Sequence, residues 1–209
     1  MGGVVGPVAF VTAWAVAGAR ASDYSSVDDA ISRLAAVHAS TRLVMSAGFV
    51  VFGVGVALFA VALRHVLSGS AWITALASGL CTLAVAAFPL DAGVDSAHAA
   101  SAVVGYITLA ATPLLASMAL VRGGRASVAR VSLVVGCTSA ALLGASLLGP
   151  ASGLFQRAGL GVTDVWICAA AIATVRVRSD LQSAEGRTAG SGRYDAGGSD
   201  GRLRLHDDV

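Results

Sequence analysis

The chain has 209 residues, of which 56% are hydrophobic and only 12% are charged. A soluble domain is usually about 45–50% apolar and about 25% charged, so the composition excludes an ordinary soluble globular protein and favours one solvated by a bilayer. The net charge of +2 at pH 7 is small and gives no reason to expect a nucleic-acid partner.

The first apolar run covers residues 4–19, which is near the short end of the about 17–25 residues that a membrane span needs. A cleaved signal peptide is the rival interpretation. Signal peptides begin with a basic segment, however, and the three residues before this run carry no charged side chain. We therefore predict a retained first span.

A polar connection follows, from residue 20 to residue 42. Ser26 and Asp29 have the spacing of a capping box, and Asp28 also suits the start of a helix. Apolar residues then recur at helical spacing: Val27, Ile31, Leu34 and Val37. The pattern predicts a short amphipathic helix at the bundle end or at the membrane interface. Its two acids are then either capping residues or part of a site.

Five further apolar runs predict spans at residues 43–63, 72–90, 99–121, 131–149 and about 160–175. Residues 150–161 are predicted to be a loop before the last span. The fold class is therefore an all-α polytopic membrane protein, with six transmembrane helices plus a short extracytoplasmic amphipathic helix. The transmembrane domain covers residues 1–176.

Two other features bear on organisation. From residue 177 the hydrophobic periodicity is lost and Gly, Ser, Arg and Asp dominate, which predicts a disordered cytoplasmic tail at residues 177–209. Gly136, Ala140 and Gly144 share one face of the fifth span. Small residues at this spacing let helices approach closely in lipid, which would allow an oligomer through such faces.

The arginines predict the orientation. With six spans, ten arginines lie on the side of both termini: Arg64, Arg122, Arg125, Arg130 and six in the tail. Four lie on the other side: Arg20, Arg33, Arg42 and Arg157. The positive-inside rule then predicts a multi-pass protein of the inner (plasma) membrane with both termini in the cytoplasm.

That orientation gathers the acids that precede the tail on the extracytoplasmic side. The candidate polar cluster there consists of Asp28, Asp29, His38, Asp91, Asp95, His98, Gln156, Arg157 and Asp164. Asp164 is expected near the start of the last span, where capping explains an acid. Any functional site is expected at this end of the bundle.

Residues 88–98 are the centre of that cluster, and three interpretations of them stay open. Pro89, Gly93 and Asp95 can simply end one helix, turn the chain and cap the next. Asp95 and His98 are three residues apart and can meet on one helix face, and Ser101 follows three residues later, so an Asp–His–Ser ladder for catalysis is conceivable. The same groups could bind a metal, but no compact histidine-rich motif is present, so we predict no metal centre and no cofactor.

These residues also carry a family resemblance. Phe88-Pro89-Leu90-Asp91 at the end of the third span, His98 at the start of the fourth, Gly153-Leu154-Phe155-Gln156-Arg157 before the sixth, and Ile31-Ser32-Arg33-Leu34 resemble the bacterial six-span membrane family called domain of unknown function 998. The resemblance covers about residues 7–175. It implies the six-helix architecture and no established activity. Family members often carry a histidine-rich stretch after the acid, where this chain has alanines.

Three functional hypotheses follow. The first is a membrane protein that binds a lipid, a small solute or a partner at its extracytoplasmic face. The second is a membrane-embedded enzyme that modifies a lipid with Asp91, Asp95 and His98. The third is a small transporter, although the predicted span interiors offer only Ser, Thr and Gly and so argue against charge coupling.

Overall fold

The computed structural model describes the backbone of residues 1–195 and the side chains of residues 1–177 and 179. Over these residues the protein has six α-helices and no strand: α1 (Gly2–Arg20), α2 (Arg42–Arg64), α3 (Ala71–Ala87), α4 (Asp95–Arg122), α5 (Ala126–Ala145) and α6 (Ser152–Asp195). Five of them are long and apolar enough to cross a membrane: α1, α2, α4, α5 and Ser152–Val177 of α6. The prediction of an all-α membrane protein is confirmed.

Helix α3 is the short member of the set, with 17 residues. It ends at Ala87 and not at residue 90 as predicted. Phe88 leaves the helical region, with φ −112° and ψ 73°, because a residue that precedes proline is disfavoured there. At 1.5 Å per residue the helix is about 25 Å long. The sixth span therefore stays a prediction.

Helix α6 begins earlier than the sequence indicates. The predicted loop at residues 150–161 is wrong, since the helix begins at Ser152 and includes Gln156 and Arg157. The backbone is helical from there to Asp195, across the predicted domain boundary after residue 176. Residues 196–209 of the predicted tail lie outside the described residues, and the boundary stays a prediction.

The predicted amphipathic helix is replaced by a 3₁₀ helix of only five residues, Ile31–Ala35. The reason lies in α6. An α-helix here would join the carbonyl of Val27 to the N–H of Ile31. Instead, the N–H of Leu154 donates to the Val27 carbonyl (2.9 Å), and the Ile31 N–H donates to Oε1 of Gln156 (2.8 Å). The capping residue also differs, because Ser25 and not Ser26 bonds Asp28 and Asp29.

The helices of the compact unit Met1–Thr174 pack as a ring. Each of α1 to α4 packs against the next helix in sequence. Helix α6 closes the ring: Nε1 of Trp166 donates to Oγ of Ser132 on α5 (2.9 Å), and Ala171 lies against Gly3 of α1. Since consecutive helices run in opposite directions, the connections 21–41, 88–94 and 146–151 meet at one end, which we call the long-loop end.

The distribution of side chains fits a bilayer. Leu58, Ile107 and Val165 are 59%, 62% and 71% exposed, as expected for side chains that contact lipid. Inside the ring of helices, the phenyl centroids of Phe10 and Phe52 are 5.0 Å apart, and those of Phe10 and Phe49 are 5.6 Å apart. These aromatic contacts fill the centre between α1 and α2.

Glycines set the closest helix approach. A Cβ atom on Gly55 of α2 would lie 2.7 Å from the Gly2 carbonyl oxygen and 2.9 Å from Cα of Gly6, both on α1. Only glycine allows the two backbones to come this close. On α5, Gly136 already packs against Leu114 of α4, at 2.5 Å from an added Cβ, whereas Gly144 has nothing within 4 Å. The oligomer through this face stays a prediction.

We predict that Gly55→Ala lowers the free energy of unfolding in detergent micelles by about 1–3 kcal/mol, because the new methyl group overpacks two backbones. Gly144→Ala is the matched control, with open space around it. It should change stability by less than about 1 kcal/mol. Equal effects of the two substitutions would show that α1 and α2 are not in tight contact.

Candidate functional site

A cavity of about 60 Å³ lies inside the ring near the long-loop end. Helices α1, α2, α3, α4 and α6 form its walls, and the 3₁₀ helix adds Ile31 and Ser32. Most of the wall is apolar. The polar lining residues are Ser32, Ser78, Thr82, His98, Ser101, Tyr106 and Gln156. The space is enough for a few water molecules or for the polar end of a larger molecule.

His98 supplies the imidazole in the wall of this cavity. It is 4% exposed and lies in the first turn of α4. Its Nδ1 is 2.7 Å from the carbonyl oxygen of Phe88. A carbonyl can only accept, so Nδ1 carries a hydrogen, and in the neutral form of the ring Nε2 is then an acceptor. Nε2 has no hydrogen-bond partner among the described residues.

Tyr106 supplies the complementary group. The Ile31 N–H fixes the amide of Gln156 by donating to Oε1, so Nε2 of that amide donates to the Tyr106 oxygen. The Tyr106 hydroxyl thus accepts from Gln156, and its own O–H has no acceptor in the described part of the chain. The cavity therefore offers one unused acceptor, on His98, and one unused donor, on Tyr106. Ser101 lies on the same wall, three residues after His98.

Arg157 organises the rim above the cavity. Its Nη1 donates to the carbonyls of Ser26 (2.8 Å), Asp29 (3.1 Å) and Gly153 (2.8 Å), and its Nη2 donates to the Tyr24 hydroxyl. The guanidinium carbon also lies 5.4 Å from the ring centroids of both Trp14 and Tyr24. We call this arrangement the arginine clasp. It binds the connection 21–41 to the start of α6.

Three neighbours complete the clasp. Gly153 is required because a Cβ there would collide with the Asp29 carbonyl. The Ser152 hydroxyl donates to the Asp28 carbonyl (2.6 Å). Burial raises the pKa of the Tyr24 phenol, and the positive charge of Arg157 opposes that rise. The phenol therefore stays protonated at neutral pH and donates to the Asp29 carbonyl (3.2 Å).

The carboxylates of Asp28 and Asp29 act locally. Asp29 accepts from the Ser25 N–H (2.8 Å) and forms an ion pair with Arg33 (2.9 Å), and Asp28 accepts from the Ser25 hydroxyl (2.9 Å). Asp28 also lies 3.4 Å from the Ala151 N–H. These bonds shape the connection 21–41, so the two acids are turn residues rather than part of the cavity wall.

Asp91, Asp95 and His38 lie outside the cavity. The first two are exposed, and Asp95 accepts from the Asp91 N–H (2.9 Å). This bond closes the turn in which Asp91 and Gly93 have φ values of 64° and 75°. In the part of the chain that the structure describes, no hydrogen bond or ion pair joins either acid to His98. His38 is exposed and borders a separate surface groove with Asp23, Tyr24 and Arg33.

Asp164 is placed quite differently from the sequence expectation. It lies in the fourth turn of α6 and is 3% exposed. Neither of its carboxyl oxygens has a hydrogen-bond partner among the described residues. The predicted capping role is wrong, because α6 begins twelve residues earlier, at Ser152. Asp164 is not part of the cavity wall.

The predicted cluster therefore divides into four groups. His98 and Gln156 line the cavity, Arg157 with Asp28 and Asp29 forms or flanks the clasp, Asp91, Asp95 and His38 are at the surface, and Asp164 is buried in α6. Within the described residues no group of three or more His, Cys, Asp or Glu side chains could hold a metal ion.

Sequence reasoning singled out Ser101, three residues after His98, but it missed Tyr106, Tyr24 and Trp14. Tyr106 and Ser101 share a helical face with His98, at spacings of eight and three residues, and that polar stripe in an apolar span was a usable signal. Tyr24 and Trp14 carried no such signal in the sequence, because each depends on Arg157, which is more than 130 positions away.

These features define the class of the protein. It is an integral membrane protein, built as a ring of apolar helices with a small cavity near one end, whose mostly apolar wall carries a few polar groups. The family described as "Protein of unknown function (DUF998)" matches residues 4–173, and the chain belongs to that family. No curated protein and no solved structure matches the chain.

We predict that Arg157→Lys destabilises the protein by about 1.5–3 kcal/mol, because an ammonium cannot serve three carbonyls and two rings from one position. Limited proteolysis should then cut the connection 21–41 faster. Arg33→Lys is the matched control: this side chain is 61% exposed and makes one surface ion pair, which is worth at most about 1 kcal/mol. Equal proteolysis of both variants would contradict the role of the clasp.

Proposed function

We propose that this integral membrane protein binds a small, largely apolar molecule that carries a hydroxyl group, such as the polar end of a lipid, in the cavity beside His98. The observation that carries the proposal is the pairing of an unused acceptor, Nε2 of His98, with an unused donor, the Tyr106 O–H, in an otherwise apolar wall. A hydroxyl group can donate to the first and accept from the second.

The chemistry of the wall supports this class of ligand. Binding sites for small molecules are mostly apolar, with a few polar groups that fix orientation. A purely apolar ligand would leave both polar groups desolvated and unpaired, which costs about 1–3 kcal/mol for each group. An ionised ligand would find no counter-ion in the wall, since Arg157 is engaged by backbone carbonyls.

The arrangement in the membrane is part of the same proposal. We propose that α3 is a sixth span, that the long-loop end faces the extracytoplasmic side of the plasma membrane, and that both termini are cytoplasmic. The support is the distribution of charge: Arg64, Arg122 and Arg125 lie at the end opposite the cavity. A ligand would then enter from the outer leaflet.

Enzymatic modification of a lipid is the second candidate, and His98 with Ser101 supports it, because a base and a hydroxyl share the cavity wall. Asp91 and Asp95 give it no support from their hydrogen bonds, since none of those described joins either acid to His98 and the ring bonds the Phe88 carbonyl instead. A transporter is the third candidate. Binding without turnover or translocation is the simplest use of this geometry.

Native mass spectrometry of the purified protein tests the proposal. We expect a non-covalent adduct on the wild-type chain that is lost in Ser101→Leu, which fills the cavity, and weakened at least about tenfold in His98→Phe, which removes one hydrogen bond of about 1.5 kcal/mol. Asp91→Asn is the control and should keep the adduct. An adduct that survives both cavity substitutions, or none at all, would refute binding in this cavity.

Reporter fusions test the orientation. Alkaline phosphatase should be active when fused after Leu90 and inactive when fused after Arg178, because that enzyme folds only where disulfides form. Green fluorescent protein at the same two positions provides the converse readout. An active phosphatase after Arg178 would reverse the orientation.

A further inference from the structure

Among the residues that the structure describes, Asp164 is the one acid deep in a span. It lies twelve residues after the start of α6, which is roughly 18 Å along the helix axis. The hydrocarbon core of a bilayer is about 30 Å thick, so a span that enters it near Ser152 carries this carboxyl near the middle. It is 3% exposed, and both of its oxygens lack a hydrogen-bond partner among the described residues.

The contacts on either side show which helix it faces. Seven residues before Asp164, Arg157 lies over Trp14 of α1, and seven residues after it, Ala171 lies against Gly3 of the same helix. The antiparallel register between these contacts sets Asp164 at the level of Pro7 to Phe10. Pro7 is buried and has no N–H to offer the Gly3 carbonyl, so the α1 backbone is also interrupted there.

Within the described part of the chain, no counter-ion pairs with Asp164 at that level. Helix α1 has no titratable side chain between Gly3 and Trp14, and α5 presents Ser132 and Ser139 to α6, while its Arg130 and Cys137 are exposed. On α6 itself, Cys168 is one turn further along and interacts electrostatically with Asp164. Arg157 is two turns back, its Nη atoms are engaged in the clasp, and its buried Nε has no partner.

A structural role does not account for this side chain. A buried acid that serves folding is bonded to donors, and an ionised one is paired. Ionisable groups inside spans, by contrast, are typical of proton and substrate pathways. Asp164 is buried and unpaired among the described residues, so it resembles the ionisable groups of such pathways rather than a structural acid. Its neighbour toward the long-loop end, Nε of Arg157, is a second unpaired polar group on nearly the same helix face.

We propose that Asp164 is an intramembrane proton-binding site, which takes up and releases a proton in the working protein. In the release step the O–H bond of the carboxylic acid breaks, its electron pair stays on the carboxylate, and the proton passes to a water molecule to give hydronium. Uptake is the reverse. The proposal is independent of ligand binding in the cavity, since Asp164 does not line it.

Dicyclohexylcarbodiimide is a suitable probe, because it adds to protonated carboxyl groups in apolar surroundings. The full chain in lipid nanodiscs is treated with the reagent, and peptide mass spectrometry locates the product. We expect modification at Asp164, a progressive loss of modification as the pH rises, and none at this position in Asp164→Asn. Asp91→Asn, which removes an exposed acid, is the control and should leave the labelling of Asp164 unchanged.

Infrared spectroscopy tests the protonation of Asp164 even if the reagent cannot reach this side chain. The wild-type protein should have a protonated-carboxyl band that is missing in Asp164→Asn and that disappears reversibly when the pH is raised. A band that persists at every pH at which the protein is folded would make Asp164 a permanently neutral structural group. A band that is never present, or labelling that sodium ions block, would also overturn the proposal. Thermal unfolding should show that Asp164→Asn is folded.

Discussion

The hydrogen bonds from the guanidinium of Arg157 to backbone carbonyls are the constraint on which the long-loop end depends. The connection 21–41 is largely irregular, so its carbonyls and N–H groups must find partners other than a helix ladder. Beside a bilayer, water is less available to supply them, and unsatisfied backbone groups are costly. Arg157 satisfies several carbonyls at once, and the first turn of α6 serves others through Leu154 and Ser152.

The cavity is a consequence of that constraint. Once the connection is bound to α6, the 3₁₀ helix lies across the open end of the ring and closes the space below it. Gln156 links the 3₁₀ helix to the cavity wall. Its amide accepts a hydrogen bond from the Ile31 N–H and donates one to the Tyr106 hydroxyl oxygen. Substitutions in the clasp therefore act on the shape of the cavity as well as on stability, and the two effects need separate measurement.

The features of the fold that depend on hydropathy can be predicted from the sequence. The all-α membrane class and the positions of α2, α4 and α5 follow from apolar runs of sufficient length. Hydropathy fails at the start of α6, because Gln156 and Arg157 look like loop residues until their partners are known. It also fails at residues 26–37. The Val27 carbonyl and the Ile31 N–H, whose pairing would make a helix, both bind residues more than 120 positions away.

The sequence assigns the candidate residues to the long-loop end, but it does not say which of them line a common cavity. His98 and Gln156 are in the wall of the cavity, whereas Asp91 and Asp95, at equally suggestive spacing, point to a surface turn. Spacing says which side chains share a helix face, but not whether that face is turned inward. Asp164 shows the same limit, since its depth depends on a helix start that local sequence does not reveal.

The short third helix has a consequence for the surrounding lipid. If α3 crosses the bilayer as proposed, its length of about 25 Å falls short of a hydrocarbon core of about 30 Å. Lipids next to it must then compress or tilt, at a cost of a fraction of a kcal/mol per Å of mismatch. Cys81 and Val85 of this helix also form cavity wall, so the thinnest annulus of lipid around the protein would adjoin the cavity. Bilayer thickness then becomes a variable that can shift how readily a lipid leaves its leaflet for the protein interior.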